Sequence, residues 1–218
     1  MIREHRIAVQ RSARYYTIGE PGNRLREVWF ACHGYGQLAR SFARYLTALD
    51  DGERMVVVPE GLSRYYVEHE SMRVGASWMT REDRLTEIKD YVTYLDRLHE
   101  HIFTSVRRDA VKCRVLGFSQ GTATVTRWTA FGRVRVDQLI LWGGLVPPDL
   151  DLEGEGRQLR ETNLVFVLGT ADEFVTEQAM KQEEQRLRAA AIPFAVRRFN
   201  GGHRMDLRTL RALAEREP

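Results

Sequence analysis

Short runs of almost uninterrupted apolar residues recur along this chain, separated by longer stretches with helical spacing. The runs lie at residues 27–32, 55–58, 111–116, 136–142 and 164–168, and a further strand-like segment lies at 194–199. A strand that alternates apolar and polar residues has one face in water, whereas an uninterrupted apolar strand is buried on both faces. The pattern therefore predicts a central sheet that is covered on both sides.

The stretches between these runs predict the helices that cover the sheet. Within residues 38–49 and 85–103, apolar side chains recur every three or four positions, as on one face of a helix. Residues 122–131, 176–191 and 205 onward are also predicted to be helical. Strands that alternate with helices imply right-handed crossovers between parallel strands. The predicted fold class is α/β, with a mostly parallel sheet, helices on both faces and little or no separate lid domain.

Four segments fall outside this alternation. Residues 2–9 and 13–18 are rich in Ile, Val and Tyr and predict two short strands that enter the sheet in antiparallel orientation. Residues 60–80 show no clean period, so a long loop is predicted there. Residues 146–156 are rich in proline and acidic side chains and predict a second loop. Long loops over a compact fold often carry function.

The strand at 111–116 leads directly into Gly117-Phe118-Ser119-Gln120-Gly121, which precedes a predicted helix. A strand, a tight turn and a helix with serine at the apex form the sequence pattern of a nucleophile elbow. The turn strains the serine backbone, and glycine two residues to either side lets the strand and helix pack closely. Taken alone, the same pattern also fits a glycine-rich turn in which the serine caps a helix.

A serine hydroxyl is a weak nucleophile until a base takes its proton, so Ser119 needs a histidine and an orienting carboxylate. Asp172 and His203 each follow an apolar strand, and catalytic groups gather at the carboxyl ends of parallel strands. Their order after Ser119 is that of the α/β-hydrolase arrangement. Asp149 and Asp151 follow the preceding strand and remain alternatives for the acid, and His203 also fits a helix-capping residue.

The early strand at 27–32 runs into His33-Gly34-Tyr35-Gly36, where an α/β-hydrolase recruits a second backbone donor for the oxyanion hole. The predicted donors are the backbone amides of Tyr35 and Gln120. Glycine on either side of Tyr35 lets the backbone approach the substrate oxygen. His33 is interpreted as a structural residue that ties the loop down, with contact to substrate as the other option.

The composition fits a single domain over residues 1–218, with 43% hydrophobic and 29% charged residues to supply one core and its surface. The net charge of +3 comes from arginines interleaved with acidic residues, so no nucleic-acid patch is predicted. The first ten residues contain no apolar run that would target or anchor the chain, so a cytoplasmic protein without stable membrane insertion is expected. Cys32 and Cys113 lie in apolar runs and are predicted to be buried and unpaired. The pattern is compatible with a monomer or a homodimer.

Beyond the loop 33–36 and the elbow 117–121, two further segments are Gly169-Thr170-Ala171-Asp172 and Gly202-His203. Together, these four segments resemble the phospholipase/carboxylesterase family of small α/β-hydrolases, which includes the acyl-protein thioesterases. The resemblance spans nearly the whole chain. It implies a triad of Ser119, Asp172 and His203 and a substrate cleft bordered by the region of Trp78.

Two segments depart from that family. Members commonly carry Asp-Pro-Val after the Gly-Thr pair, whereas Asp172 is followed here by Glu173-Phe174-Val175. Residues 60–80 are also unlike the usual proline-rich segment. These departures leave the chemistry intact and bear on the substrate.

The predicted function is a serine carboxylesterase that acts on a small-molecule ester and needs neither a metal nor an organic cofactor. An apolar site for the acyl or alcohol part of the substrate is expected beside Tyr35, although each of its candidate residues equally fits core packing. The candidates are Leu38, Tyr65, Trp78, Trp142 and Leu145. The alternatives are a thioesterase or lysophospholipase-like lipid deacylase with the same triad and, in another class, a catalytically silent hydrolase fold that binds a small molecule.

Overall fold

The continuous apolar runs form the strands of one central sheet in a computed structural model, which describes residues 1–215. The strands are β1 (Tyr15–Ile18), β2 (Glu27–Cys32), β3 (Arg54–Pro59), β4 (Ser63–Glu68), β5 (Arg73–Ser77), β6 (Lys112–Phe118), β7 (Gln138–Trp142), β8 (Asn163–Gly169) and β9 (Phe194–Phe199). The helices are α1 (Ala39–Leu46), α2 (Arg84–Ile102), α3 (Gln120–Phe131), α4 (Arg157–Arg160), α5 (Glu177–Ala189) and α6 (Leu207–Ala214).

The central sheet has the strand order β1-β3-β2-β6-β7-β8-β9. β1 runs antiparallel to β3, and every other neighbouring pair is parallel. This confirms the predicted mostly parallel sheet and its antiparallel entry strand. All six residues of β2 are buried, as expected for a strand covered on both faces.

Helices cover both faces of the sheet, and each face has its own apolar core. One core contains Leu95 of α2, Val125 of α3 and Met180 of α5. The opposite core contains Phe42 of α1 and Leu210 of α6. This confirms the α/β-hydrolase-type architecture that was predicted from the alternation of strands and helices.

The register of the sheet brings the ends of its strands to one edge. Cys32 lies beside Gly117, and Phe118 lies beside Trp142. At the far side of this edge, Gly169 lies beside Phe199. The residues that follow β2, β6, β7, β8 and β9 therefore emerge together, which is where ligand sites form in parallel sheets.

Residues 60–80 do not form the predicted loop. They contain the antiparallel hairpin β4–β5, in which half-buried and exposed residues alternate along β4. A bridge between Gln37 and Ala76 adds the segment after β2 to the edge of this hairpin. The prediction was wrong because a two-residue period over one short strand is easily hidden by the polar residues on its exposed face.

Residues 2–9 do not form the predicted first strand either. Residues 1–14 have no regular secondary structure, and Ile2, Ile7 and Val9 are exposed. Arg6 contacts Asp83 at the start of α2 through a 2.8 Å ion pair. A run of β-formers becomes a strand only when it has a partner strand and a face to bury, and this segment has neither.

At the amino-terminal end of the central strands, a buried carboxylate is surrounded by hydrogen-bond donors. Glu27 accepts from Arg114 at 2.8 Å, from Arg54 at 3.1 Å and from the Trp29 indole at 2.8 Å. Arg114 also donates to Gln138 and to the Leu213 carbonyl. Both partners of the Glu27–Arg114 ion pair are therefore buried with further hydrogen bonds, as such a pair requires.

The two cysteines are unpaired and buried, as predicted. Burial raises the pKa of both thiols, that of Cys113 to about 12. Both thiols are therefore protonated and unreactive at neutral pH. Among residues 1–215, no helix is both long and apolar enough to cross a membrane.

Candidate active site

Ser119 occupies a strained turn between β6 and α3. Its backbone has φ 53° and ψ −117°, a combination that side-chain-bearing residues rarely adopt. A Cβ at Gly117 would lie 2.3 Å from the Gly121 carbonyl oxygen, and one at Gly121 would lie 2.2 Å from the Cys32 carbonyl oxygen. Both glycines are therefore required by close backbone approach, as the elbow pattern predicts.

Asp172 and His203 form a hydrogen-bonded pair at the same edge of the sheet. The distance from His203 Nδ1 to Asp172 Oδ2 is 2.9 Å, and the Asp172 side chain is 1% exposed. The other oxygen, Oδ1, accepts from the backbone amides of Phe174 at 2.9 Å and Val175 at 3.1 Å. Because the carboxylate can only accept, Nδ1 carries the proton and Nε2 remains as the basic nitrogen of the neutral ring.

Three neighbours fix the position of the His203 ring. Phe118, one residue before Ser119, lies with its ring centroid 5.1 Å from that of His203, and Phe174 lies at 4.6 Å on an exposed surface. Gly143, after β7, has φ 62°, and a Cβ there would lie 2.9 Å from His203 Cε1. The imidazole is therefore held between aromatic rings and a backbone turn that only glycine allows.

Ser119 and His203 are brought together through these shared neighbours. The Ser119 amide donates to the Trp142 carbonyl at 2.9 Å, and the next residue, Gly143, contacts the His203 ring. Within residues 1–215, no hydrogen bond joins Ser119 Oγ to His203. Catalytic hydrogen bonds are often long in a free enzyme and shorten when substrate binds. The structure therefore shows the His203–Asp172 hydrogen bond and places Ser119 among residues that contact His203.

Asp149, the alternative acid, has other partners. It forms ion pairs with Arg84 at 2.6 Å and Arg127 at 2.8 Å. Burial alone would raise the pKa of Asp149, but the hydrogen bonds from these two arginines outweigh it and lower the pKa to about 2. Asp151 accepts from the Glu153 amide within the same loop. The structure therefore brings Asp172, and neither alternative, to His203.

The loop after β2 presents a backbone amide beside Ser119. A Cβ at Gly34 would lie 3.2 Å from Ser119 Cβ, so the loop backbone passes directly against the serine. The Gly34 amide donates to Gln37 Oε1 at 2.9 Å, and the Gly36 amide donates to the Ala76 carbonyl at 2.9 Å. Within the described residues, the Tyr35 amide between them has no acceptor. An unused donor at this place can bind a developing oxyanion.

Gln120 contributes both its backbone and its side chain. Its amide, the first of α3, has no acceptor within residues 1–215. Its side chain accepts from the Trp78 amide at 3.1 Å and donates to Ser77 Oγ at 3.0 Å and the Met79 carbonyl at 2.8 Å. The carboxamide thus joins the elbow to the segment after β5. Sequence reasoning missed this second role, because nothing near residue 120 indicates which distant backbone the side chain reaches.

His33 ties the same loop to the segment after β3. Nε2 accepts from the Gly61 amide at 3.0 Å, so Nδ1 carries the proton that is donated to the Gly34 carbonyl at 2.8 Å. Burial lowers the pKa of His33, and the ring is neutral at pH 7. Both ring nitrogens are used within the protein, which fits the structural role predicted for this residue.

The residues predicted to line an apolar pocket lie in different environments. Trp78 and Trp142 are buried in cores on opposite faces of the sheet and do not line an open cleft. Leu38 and Leu145 are half-buried near the site. The exposed Tyr35 ring lies 5.4 Å from the half-buried ring of Tyr65 on the hairpin. Of the predicted pocket residues, Tyr65 is therefore the one whose ring lies beside Tyr35, as expected.

Trp78 and Trp142 support loops of the site through hydrogen bonds from their indoles and do not face a ligand. The Trp78 indole donates to the His33 carbonyl at 2.9 Å, and the Trp142 indole donates to the Arg204 carbonyl at 2.9 Å. Each hydrogen bond fixes one loop that carries site residues. Phe174, which was not a predicted pocket residue, is 70% exposed and contacts His203. The one signal for it in the sequence is the segment 173–175, which departs from the family pattern.

The amino-acid sequence matches a family model described as phospholipase/carboxylesterase over residues 13–216. A search of curated proteins found no significant match.

Solved structures with the same fold share little sequence with this chain. Acyl-protein thioesterase 2 from Zea mays superposes with a TM-score of 0.70 at 17% identity, covering 93% of this chain and 96% of that one. SOBER1 from Arabidopsis thaliana gives 0.67 at 16% identity, covering 87% and 96%. A carboxylesterase from Bacillus cereus gives 0.65 at 14% identity, covering 93% and 92%.

Proposed function

The chain belongs to the phospholipase/carboxylesterase family, and from that premise we propose that it cleaves carboxylic esters with Ser119, His203 and Asp172 as its catalytic triad. Membership in the family makes it a hydrolase of the esterase and thioesterase type. The observation that carries the finer assignment is the 2.9 Å hydrogen bond from His203 to the buried Asp172 beside the strained Ser119. A helix cap would explain a histidine at this place, but it would not explain the buried carboxylate.

In the proposed reaction, Ser119 Oγ attacks the ester carbonyl while His203 Nε2 takes the hydroxyl proton. The amides of Tyr35 and Gln120 donate to the oxyanion of the tetrahedral intermediate. His203 then returns its proton to the leaving oxygen, the bond from carbon to that oxygen breaks, and an acyl-enzyme forms. Water repeats the sequence to release the acid. Asp172 keeps the imidazole in the required tautomer and stabilises its cationic form.

A thioesterase is the second candidate, and one observation favours it. A solved structure with the same fold over most of both chains is an acyl-protein thioesterase. The triad chemistry is the same for both bonds, so the pocket decides between them. Acyl thioesters and matched oxygen esters of one chain length, compared by kcat/KM, separate the two functions. A lipid deacylase would show its highest kcat/KM on long-chain esters.

Labelling by a fluorophosphonate tests the nucleophile. We expect one adduct, located at Ser119 by peptide mass spectrometry, and no adduct in the variant S119A. The variant S105A removes an exposed serine that precedes β6, whereas Ser119 follows it, and serves as the matched control that keeps the label. Folded protein that gives no Ser119 adduct would contradict the proposed function.

A further inference from the structure

A groove of about 400 Å³ lies between α1 and the start of α6. Its walls are formed by Gln37, Ser41, Arg44, Tyr45 and Leu207. Small-molecule sites typically have volumes of about 300–1,000 Å³, so the groove is large enough for part of a substrate. None of these residues has a role in the triad or the proposed oxyanion hole.

The groove begins beside the candidate active site. Gln37 Oε1 accepts from the Gly34 amide at 2.9 Å, and the Gly34 backbone passes against Ser119. On the opposite wall, Leu207 lies four residues after His203 and is 43% exposed. A group attached to the carbonyl that Ser119 attacks can therefore extend into the groove between these two walls.

The groove is also lined by Arg44, an exposed arginine on α1. Within residues 1–215, the Arg44 guanidinium has no ion pair or hydrogen bond, and its backbone carbonyl accepts from Thr47. Many other arginines of this chain are paired, among them Arg127 and Arg186. Arg44 therefore presents a guanidinium to the groove with its donors unused.

The surroundings of Arg44 keep the local potential positive. α1 carries Arg40 and Arg44 and no acidic residue, and α6 carries Arg208 and Arg211 and no acidic residue. Asp206, at the start of α6, is a carboxylate next to Leu207; it accepts from the backbone amide and hydroxyl of Thr209 and lies 3.9 Å from Arg204. The four arginines of the two helices outnumber this carboxylate, and a surface with an excess of arginines attracts anions.

From this geometry we infer that the groove binds an anionic leaving group of the ester, with Arg44 contacting its carboxylate or phosphate. The inference rests on the proposed esterase function. His203 returns its proton to the leaving oxygen, so the leaving group departs on the side of Ser119 where His203 and Leu207 lie. Arg44 lies on α1, five residues after its first residue Ala39, and lines the groove together with Gln37.

Three aryl acetates whose para substituents have equal length test this assignment. Their phenols carry a para butanoate chain, the corresponding phosphonate, or the neutral butanamide. At low salt, we expect kcat/KM to be about fivefold higher for at least one anionic ester than for the amide, because a solvent-exposed ion pair contributes up to about that factor. Added salt should reduce this preference.

Two variants of Arg44 and one control variant test whether Arg44 causes this preference. In R44Q, the ratio of kcat/KM for the anionic ester to kcat/KM for the amide should fall toward one. In R44E, this ratio should fall below one. R40Q removes an exposed arginine of the same helix that does not line the groove, and it should keep the preference. A nitrophenyl ester with the carboxylate on the acyl chain should not depend on Arg44, and a dependence there would overturn the assignment to the leaving group.

The outcomes separate this inference from the proposed function. If all three aryl acetates are cleaved with equal kcat/KM, or if R44Q keeps the preference, the anionic subsite is wrong and the esterase function stands. If none of them is cleaved and Ser119 takes no fluorophosphonate, both proposals fail together.

Discussion

The two ends of the central strands use polar residues in opposite ways. At the amino-terminal end, both oxygens of Glu27 accept from buried donors, and Arg114 has three acceptors. At the carboxyl end, Asp172 and His203 are paired, but in the described chain Ser119 Oγ and the Tyr35 amide have no hydrogen-bond partner. At the first end, the polar groups are satisfied within the protein, and at the other, the Ser119 hydroxyl and the Tyr35 amide have no hydrogen-bond partner among the described residues.

This difference separates a polar network that stabilises the fold from one that does chemistry. A buried ion pair with every partner in place leaves nothing for a ligand to contact. In the proposed reaction, the unused donors at the carboxyl end bind the oxyanion when it forms. Variants that change only one end of the strands test this separation.

The largest effect is expected for S119A at the carboxyl end. If Ser119 is the nucleophile, as proposed, its loss should lower kcat by about a millionfold, because the residues of a catalytic triad act as a unit. The melting temperature should stay within a few degrees of the wild type, since the Ser119 hydroxyl has no partner to lose. A variant that melts far below the wild type would show that Ser119 also serves the fold.

D172N should have the next largest effect. The amide keeps the shape of the carboxylate but favours the wrong tautomer of His203, which should lower kcat by about ten-thousandfold. Fluorophosphonate labelling of Ser119 should slow by a similar factor. As the control, D151N alters the alternative acid and should keep both rates near wild type. If D151N lowered kcat more than D172N does, the acid would lie in the loop at residues 146–156.

At the amino-terminal end, E27A should leave Arg114 and Arg54 without their shared carboxylate. Breaking a buried pair by removing one partner costs about 3–5 kcal/mol of unfolding free energy, measured by urea unfolding. The folded fraction should keep its kcat, because Glu27 lies at the far end of the strands. E20A, at an exposed position, should change the unfolding free energy little. A large fall in kcat of folded E27A would break the separation between the two ends.

Gln120 links the site to the hairpin β4–β5, and Q120A should reveal how much this link contributes. The backbone amide of the proposed oxyanion hole remains, but the hydrogen bonds to Ser77, Trp78 and Met79 are lost. Small displacements of catalytic groups can cost about a hundredfold in rate, so kcat should fall by about ten- to a hundredfold, with a smaller change in KM. A lower melting temperature with unchanged kcat would assign the link to stability alone.

The smallest effect is expected at His99, which has a buried Nε2 without a partner away from the site. Burial, and then the nearby Arg108, lower the pKa of His99 below its ordinary value of 6.5. The unfolded state therefore binds more protons once the pH falls below about 6.5, and the unfolding free energy declines until the folded pKa is passed. H99F should reduce this decline between about pH 7 and pH 5, as followed by urea unfolding. An unchanged decline would assign it to other groups such as His33.

The mostly parallel sheet and the triad candidates were predictable because both follow from local patterns and one rule of topology. Continuous apolar runs define buried strands, and Asp172 lies shortly after one of them, β8. His203 lies shortly after the strand-like segment that forms β9. Parallel strands bring such ends to one edge. The 2.9 Å distance between these side chains is the outcome of that rule.

The hairpin and the chain start were not predictable in the same way. The alternation along β4 covers one short strand, and its pairing with β5 and Gln37 depends on tertiary contacts. Residues 2–9 have the composition of a strand but no partner. The roles of Trp78, Trp142 and Phe174 depend on which side of the sheet each ring faces, and residue type alone does not specify that.

The attachment of the hairpin has a consequence for how the protein can be altered. Its base is fixed by the Ala76–Gln37 bridge and by Gln120, whereas its tip at residues 69–72 is exposed and bonds only within the hairpin. A change of length or sequence at this tip leaves the bonds that support the loop 33–36 in place. The tip is therefore the position where a peptide tag or a recognition loop can be inserted beside the site without rebuilding it.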